Sequence, residues 1–184
     1  MEADTLPASD NCITELIKPF TVNPCSDIGM VVGHAVSIPP NTMHGKILYV
    51  GSKIKEGIFS EWKNGKNVYS CNGQSMKALS WRFTRNLSWP KDVPEDTYTY
   101  LVLKRNLLQL VKQPDAIAYM QNDATLTDLI KRYVKFVGGI EALQEHFPGV
   151  VIRNEYKIPK LLILKHALRS FLLRPFWTLL YFFE

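Results

Sequence analysis

The side chains able to ligate a metal, or to act as nucleophile and base, are Cys12, Cys25, Cys71, His34, His44, His146 and His166. A structural zinc site needs close Cys or His pairs, and no two of these residues stand at such spacing. Cys25 with His34 or His44 is a conceivable thiol–imidazole pair, but a lone cysteine more often serves as a small buried hydrophobe. The sequence has no serine nucleophile elbow, phosphate loop or dinucleotide fingerprint. Gly51-Ser52-Lys53 and Gly65-Lys66 lack the rest of a Walker pattern, and the carboxylates are scattered. The expectation is a protein with no catalytic residues, no metal and no cofactor, which is not an enzyme.

Binding chemistry is better represented. Lys46, Lys53, Lys55, Lys63 and Lys66 are interleaved with Tyr49, Phe59, Trp62 and Tyr69. Ammonium groups neutralise phosphates and aromatic faces stack on bases, so these lysines form a candidate RNA-binding set. The plainer reading is that the aromatics point inward and the lysines are solvated.

The net charge of +5 is uneven. Residues 1–149 carry 16 Lys/Arg against 15 Asp/Glu, residues 150–184 carry 6 against 2, and residues 46–112 carry 12 against 5. Such asymmetry points to nucleic acid, anionic lipid or acidic partners. Three cysteines are too few and too odd in number for a disulfide framework, and they fit a reducing compartment. Residues 1–11 are acidic and polar, unlike a secretory leader. No uncharged apolar run reaches the length of a membrane span.

Elements of two kinds must carry these residues. Residues 1–11 are expected to be disordered. A short helix is predicted at 13–20 and strands at 30–38, 46–50, 58–62 and 67–71. Lys63-Asn64-Gly65-Lys66 lies between the last two, and Asn-Gly between β-prone runs signals a hairpin because both central positions want positive φ. Met76, Leu79, Phe83 and Leu87 recur at i, i+3, i+7 and i+11, predicting an amphipathic helix capped by Ser75 and ended by Pro90. Residues 98–112 read as a helix with an ambiguous first turn, broken at Pro114-Asp115. Thr125 and Asp128 resemble a capping box for a helix over 125–137, which Gly138-Gly139 should stop. A short helix at 140–147 and a strand at 150–156 follow. The resulting fold class is α+β: a small antiparallel β-meander in the N-terminal half followed by a helical C-terminal half. Residues 12–156 form a single α+β domain.

Residues 157–184 form a basic, apolar helical tail. Lys157, Lys160, Lys165, Arg169 and Arg174 are its only charges before Glu184. Leucines, Phe171, Trp177 and other aromatics fill the space between them. The cations share no narrow face, so apolar residues wrap most of the helix and need burial on several sides. The tail is expected to pack on the sheet, or to dock on a partner or a membrane surface.

Between the two halves lies a corner. Trp89 and Pro90 close one helix, and Pro94, followed by Glu95 and Asp96, opens another. Leu87-Ser88-Trp89-Pro90-Lys91-Asp92-Val93-Pro94, with Tyr98 and Tyr100 beyond it, resembles the Trp-Pro-x-x-x-Pro corner and aromatic run of the nonstructural proteins of phlebovirus-type segmented negative-strand RNA viruses. Met76-Lys77-Ala78-Leu79-Ser80-Trp81 is similar to a segment in their tenuivirus relatives. The resemblance is confined to residues 76–100 and to short motifs. It implies a viral accessory protein that suppresses host antiviral defence, by interferon antagonism in animals or by silencing suppression in plants. It implies host proteins as partners, with RNA as a second candidate, in the cytoplasm or nucleus of the host cell and not secreted. Trp81, Trp89, Pro90 and Pro94 of the corner, with Arg169, Phe171, Arg174 and Trp177 of the tail, form the expected partner-binding set. A structural or assembly subunit that docks through its tail is the alternative, as is a small RNA-binding module.

Overall fold

One strand, buried on both of its faces, organises the molecule. In the computed structural model, which describes residues 5–22, 27–71, 76–120 and 125–183, strand β2 (Ile28–Ser37) is central. Met30 and Val32 point to one side and Val31 to the other, as the two-residue period of a strand requires. The other strands are β1 (Thr5–Pro7), β3 (Lys77–Leu79) and β4 (Gln109–Met120). They form a mixed sheet in the order β1-β4-β2-β3. β2 and β4 run parallel, and β1 and β3 lie antiparallel on the two edges. The chain is therefore α+β, with most of its helices after the first strands.

Helix α1 (Cys12–Val22) covers one face of the sheet, setting Cys12 and Leu16 against Val31, Met76, Ala116 and Ala118. The opposite face carries the larger core. There Met30, Val32 and Leu110 meet Tyr100, Leu101 and Leu103 of α5 (Glu95–Arg105). Leu143 from α6 (Leu126–Leu143) and Ile152 from α7 (Gly149–Tyr156) close that core.

The meander is not formed. Residues 46–50 and 58–62, expected as strands, belong mainly to the long helix α2 (Met43–Glu61), and 68–71 form the short helix α3 (Val68–Cys71). Thr42 caps α2, its hydroxyl accepting from the Gly45 amide at 3.1 Å. Buried Ile47, Val50, Ile54 and Ile58 recur at helical spacing, a pattern hidden when each β-branched pair is read as a separate strand. Lys63, Asn64 and Gly65 do take positive φ (51°, 55° and 72°), as Asn-Gly demands. They end the helix through a 3₁₀ turn, Trp62–Gly65, instead of reversing a hairpin.

The expected helix over 76–87 is likewise divided. Residues 77–79 pair with β2, and Ser80 then caps α4 (Trp81–Thr84), accepting from the Phe83 amide. Met76 packs on the α1 side of the sheet while Phe83 enters the other core, so the apolar spacing served two layers. The proposed cap Ser75 lies outside the described residues, as do residues 1–4 of the N-terminal segment. Residues 98–105 are helical as expected, but the chain enters β4 after Leu107 turns it with φ 55°. Pro114 does not stop that strand. Residues 113–116 of β4 stand against Gly33 alone, a bulge that accommodates a residue without an N–H. α6 starts on the Thr125–Asp128 cap but runs through Gly138-Gly139. The expected strand 150–156 is helix α7.

The tail forms α8 (Lys160–Leu173) and α9 (Pro175–Phe183), joined across Ser170 and Thr178, whose hydroxyls lie 3.0 Å apart. Its inner face packs on α2 and not on the sheet. Val50, Ile54 and Ile58 meet Leu162, Trp177 and Tyr181. A Cβ at Gly57 would overlap the His166 ring, and one at Gly51 would overlap the Tyr181 ring, so these glycines set how closely the tail lies on α2.

Candidate functional site

The Trp-Pro corner lies between two short helix starts. Ser80 fixes the start of α4, and Pro94, with φ −65°, stands at the N-cap of α5. Residues 87–94 between them are neither helix nor strand, and Asp92 takes φ 66°. Trp89 donates its indole N–H to Thr99 Oγ1 at 2.9 Å, and that hydroxyl donates to the Glu95 carbonyl at 2.6 Å. The ring is thus tied to the first turns of α5 yet remains 45 % exposed. Trp81, at the first position of α4, is 79 % exposed. Pro90 is half-buried, and Pro94 is wedged against Gly139 of α6. Within this corner the tryptophans are therefore the available contact groups, and the prolines set the bend.

The candidate RNA-binding lysines lie on α2 and the turn after it, not on strands. Lys53 pairs with Glu56 at 2.6 Å. Lys63 pairs with Glu155 at 2.5 Å and lies over the Trp62 ring. Lys46 and Lys66 are exposed. Lys55 alone of the five reaches a cleft of about 260 Å³ between the sheet, α2, α3, α6 and α9. Lys112 of β4 and Arg132 of α6 also line it, together with Phe59, Tyr69 and the hydroxyls of Ser52 and Ser60. Phe59 and Tyr69 stack almost parallel, with ring centroids 4.4 Å apart. Lys112 Nζ donates to Ser60 Oγ at 3.4 Å.

His34 faces the same cleft. Burial and the nearby Lys112 ammonium hold its imidazole below its ordinary pKa, and the opposing pull of Glu56 does not restore it. A cleft with these cations, hydroxyls and aromatic rings can hold an anion attached to a flat ring. Lys112 and Arg132 were missed, and His34 was read only as a possible metal ligand or partner of Cys25, because the β2–β4 pairing and the α6 packing that gather them join segments far apart in sequence.

The tail residues divide by face. Trp177 is half-buried against α2, and Arg174 places its guanidinium 5.8 Å from the centre of the Tyr49 ring. Arg169 and Phe171 are exposed. His166 is buried, its Nε2 lying 3.0 Å from Glu61 Oε2, and Lys165 donates to Glu61 Oε1 at 2.6 Å. These two donors, Lys165 first, hold the Glu61 carboxyl below its ordinary range against the opposing effect of burial.

Two candidate thiols have no nucleophilic setting. Burial pushes the Cys71 thiol up to about 12, so it stays protonated near neutral pH. Cys12 is buried and donates to the Ile117 carbonyl. Cys25 lies outside the described residues. Among the described residues no group of three or more His, Cys, Asp or Glu is placed to hold a metal ion, and no helix is long and apolar enough to cross a membrane. No protein-family model and no curated protein matches the chain.

Proposed function

We propose that this is a non-enzymatic viral accessory protein that suppresses host antiviral defence by binding a host protein in the cytoplasm or nucleus. The observation that carries the reading is the aromatic corner: exposed Trp89 on the bend, tied to α5, and exposed Trp81 on the helix that leads into it. Interface hot spots are rich in tryptophan, and a ring held in place before binding loses little entropy on contact. The resemblance of residues 76–100 to phlebovirus and tenuivirus nonstructural proteins supplies the biological setting.

Trp81→Ala tests it. The ring is mostly exposed, so thermal stability should move by no more than about 0.5 kcal/mol. Suppression in a defence-reporter assay should fall steeply, since a hot-spot tryptophan contributes about 2 kcal/mol or more, roughly 30-fold in affinity. Undiminished suppression by a folded Trp81→Ala protein rejects the corner as the contact. Trp89→Phe, which removes the Thr99 hydrogen bond but keeps an aromatic surface, separates loss of the bend from loss of the contact.

A second reading is favoured by the cleft, where Lys55, Lys112 and Arg132 stand with Phe59 and Tyr69. There the protein acts on RNA directly. Affinity for single-stranded RNA should then fall steeply between about 50 and 200 mM salt. It should also drop when Lys112 and Arg132 are replaced by glutamine. Binding that ignores both changes excludes the cleft.

A further inference from the structure

We infer that the outer face of α8 and α9 docks on an anionic lipid surface. With the inner face spent on α2, each helix still carries an apolar stripe on the outside. On α8 it consists of Leu161, Leu164, Leu168, Phe171 and Leu172, at i, i+3, i+7, i+10 and i+11, all exposed. Leu161 and Leu172 are each 81 % exposed. On α9 the exposed stripe is Phe176, Leu179, Phe182 and Phe183, and that helix contains no charged residue.

The charges around the α8 stripe select the occupant. At helical spacing Lys160 borders it on one side, with Lys165 and Arg169 on the other. Lys165 is paired with Glu61 of α2, so the cations left at the border of the stripe are Lys160 on one side and Arg169 on the other. An apolar stripe flanked by long basic side chains is the arrangement of a helix lying in a bilayer interface. The stripe enters the acyl boundary, while Lys160 and Arg169 extend to lipid phosphates. Neither helix is long enough to span, so the mode is peripheral. A symmetric contact between two copies of this face would bring the same cations together, which disfavours self-association.

The test is flotation of the 184-residue chain with vesicles of phosphatidylcholine alone, or with about one-third phosphatidylserine. Binding is expected to the serine-containing vesicles, with weak binding to phosphatidylcholine alone and loss at high salt. Lys160→Gln with Arg169→Gln should lower the partition coefficient about 30-fold, from about 1 kcal/mol per cation near an anionic surface. Leu161→Asp with Leu172→Asp should abolish flotation without changing the far-UV spectrum, because both side chains lie outside the core. Should that variant fail to fold, the charge variant still decides the question. No flotation on anionic vesicles overturns the inference, as does flotation indifferent to the Lys160 and Arg169 changes. A chain that is dimeric in solution through this face, becoming monomeric in the Leu161/Leu172 variant, also overturns it in favour of a second copy.

Discussion

At the scale of single residues, the buried polar groups follow the local charge. Glu155 is pushed up by burial, but the Lys63 ammonium and the Tyr100 hydroxyl, which donates at 2.7 Å, bring its carboxyl below the ordinary value. Burial, and then Glu155 itself, push the Tyr100 hydroxyl up, so it remains a donor at all working pH values. His34 behaves in the opposite sense to a paired histidine. Its folded-state pKa is depressed below the ordinary 6.5, so the fold favours the neutral ring. The associated stability is fully present above pH 6.5 and is lost as pH falls through the lowered value. Lys112 and Lys53 oppose protonation and Glu56 favours it. The denaturant midpoint of the wild type should therefore fall between pH 7.5 and 5.5, and His34→Gln should remove much of that fall. An equal fall in both proteins would place the acid sensitivity elsewhere. None of this was legible beforehand, because the identity of a titrating neighbour depends on contacts between distant segments.

At the scale of elements, the local signals were right about backbone preference and wrong about its use. Asn64-Gly65 takes positive φ, but it caps a helix. Pro114 interrupts regular pairing, but as a bulge inside β4 rather than as an end. Thr125 caps its helix as expected, because the capping hydroxyl and the Asp128 amide that donates to it lie within one turn. Gly138-Gly139 fails as a stop because α6 continues and packs Gly139 on Pro94. One close joint between elements is α2 against α8, where Gly57 faces the buried His166 ring. Gly57→Ala places a methyl group into that ring and should cost about 1–3 kcal/mol by overpacking. Limited proteolysis should then cut first within residues 157–174. Unchanged cleavage and melting would mean that the joint is slack.

At the scale of the whole molecule, α+β was legible because the C-terminal half carries helical apolar spacing and the first half contains one unmistakable strand, Ile28–Ser37. Sheet topology was not legible. The parallel partner of β2 lies beyond α5, and no local pattern announces a parallel pairing between segments so far apart. The tail was legible as a basic, apolar helix, but α2, misread as strands, could not be identified as its seat. Trp89 and Pro94 were legible as a corner because proline fixes φ wherever it stands. The central position of β2 between β4 and β3 has a consequence for synthesis. As the chain leaves the ribosome, β2 has no parallel neighbour until residues 109–120 emerge, an interval of several seconds at about 5–20 residues per second. Throughout that interval a strand of Val and Ile has an open edge, which makes the nascent polypeptide dependent on holding chaperones until its neighbour arrives.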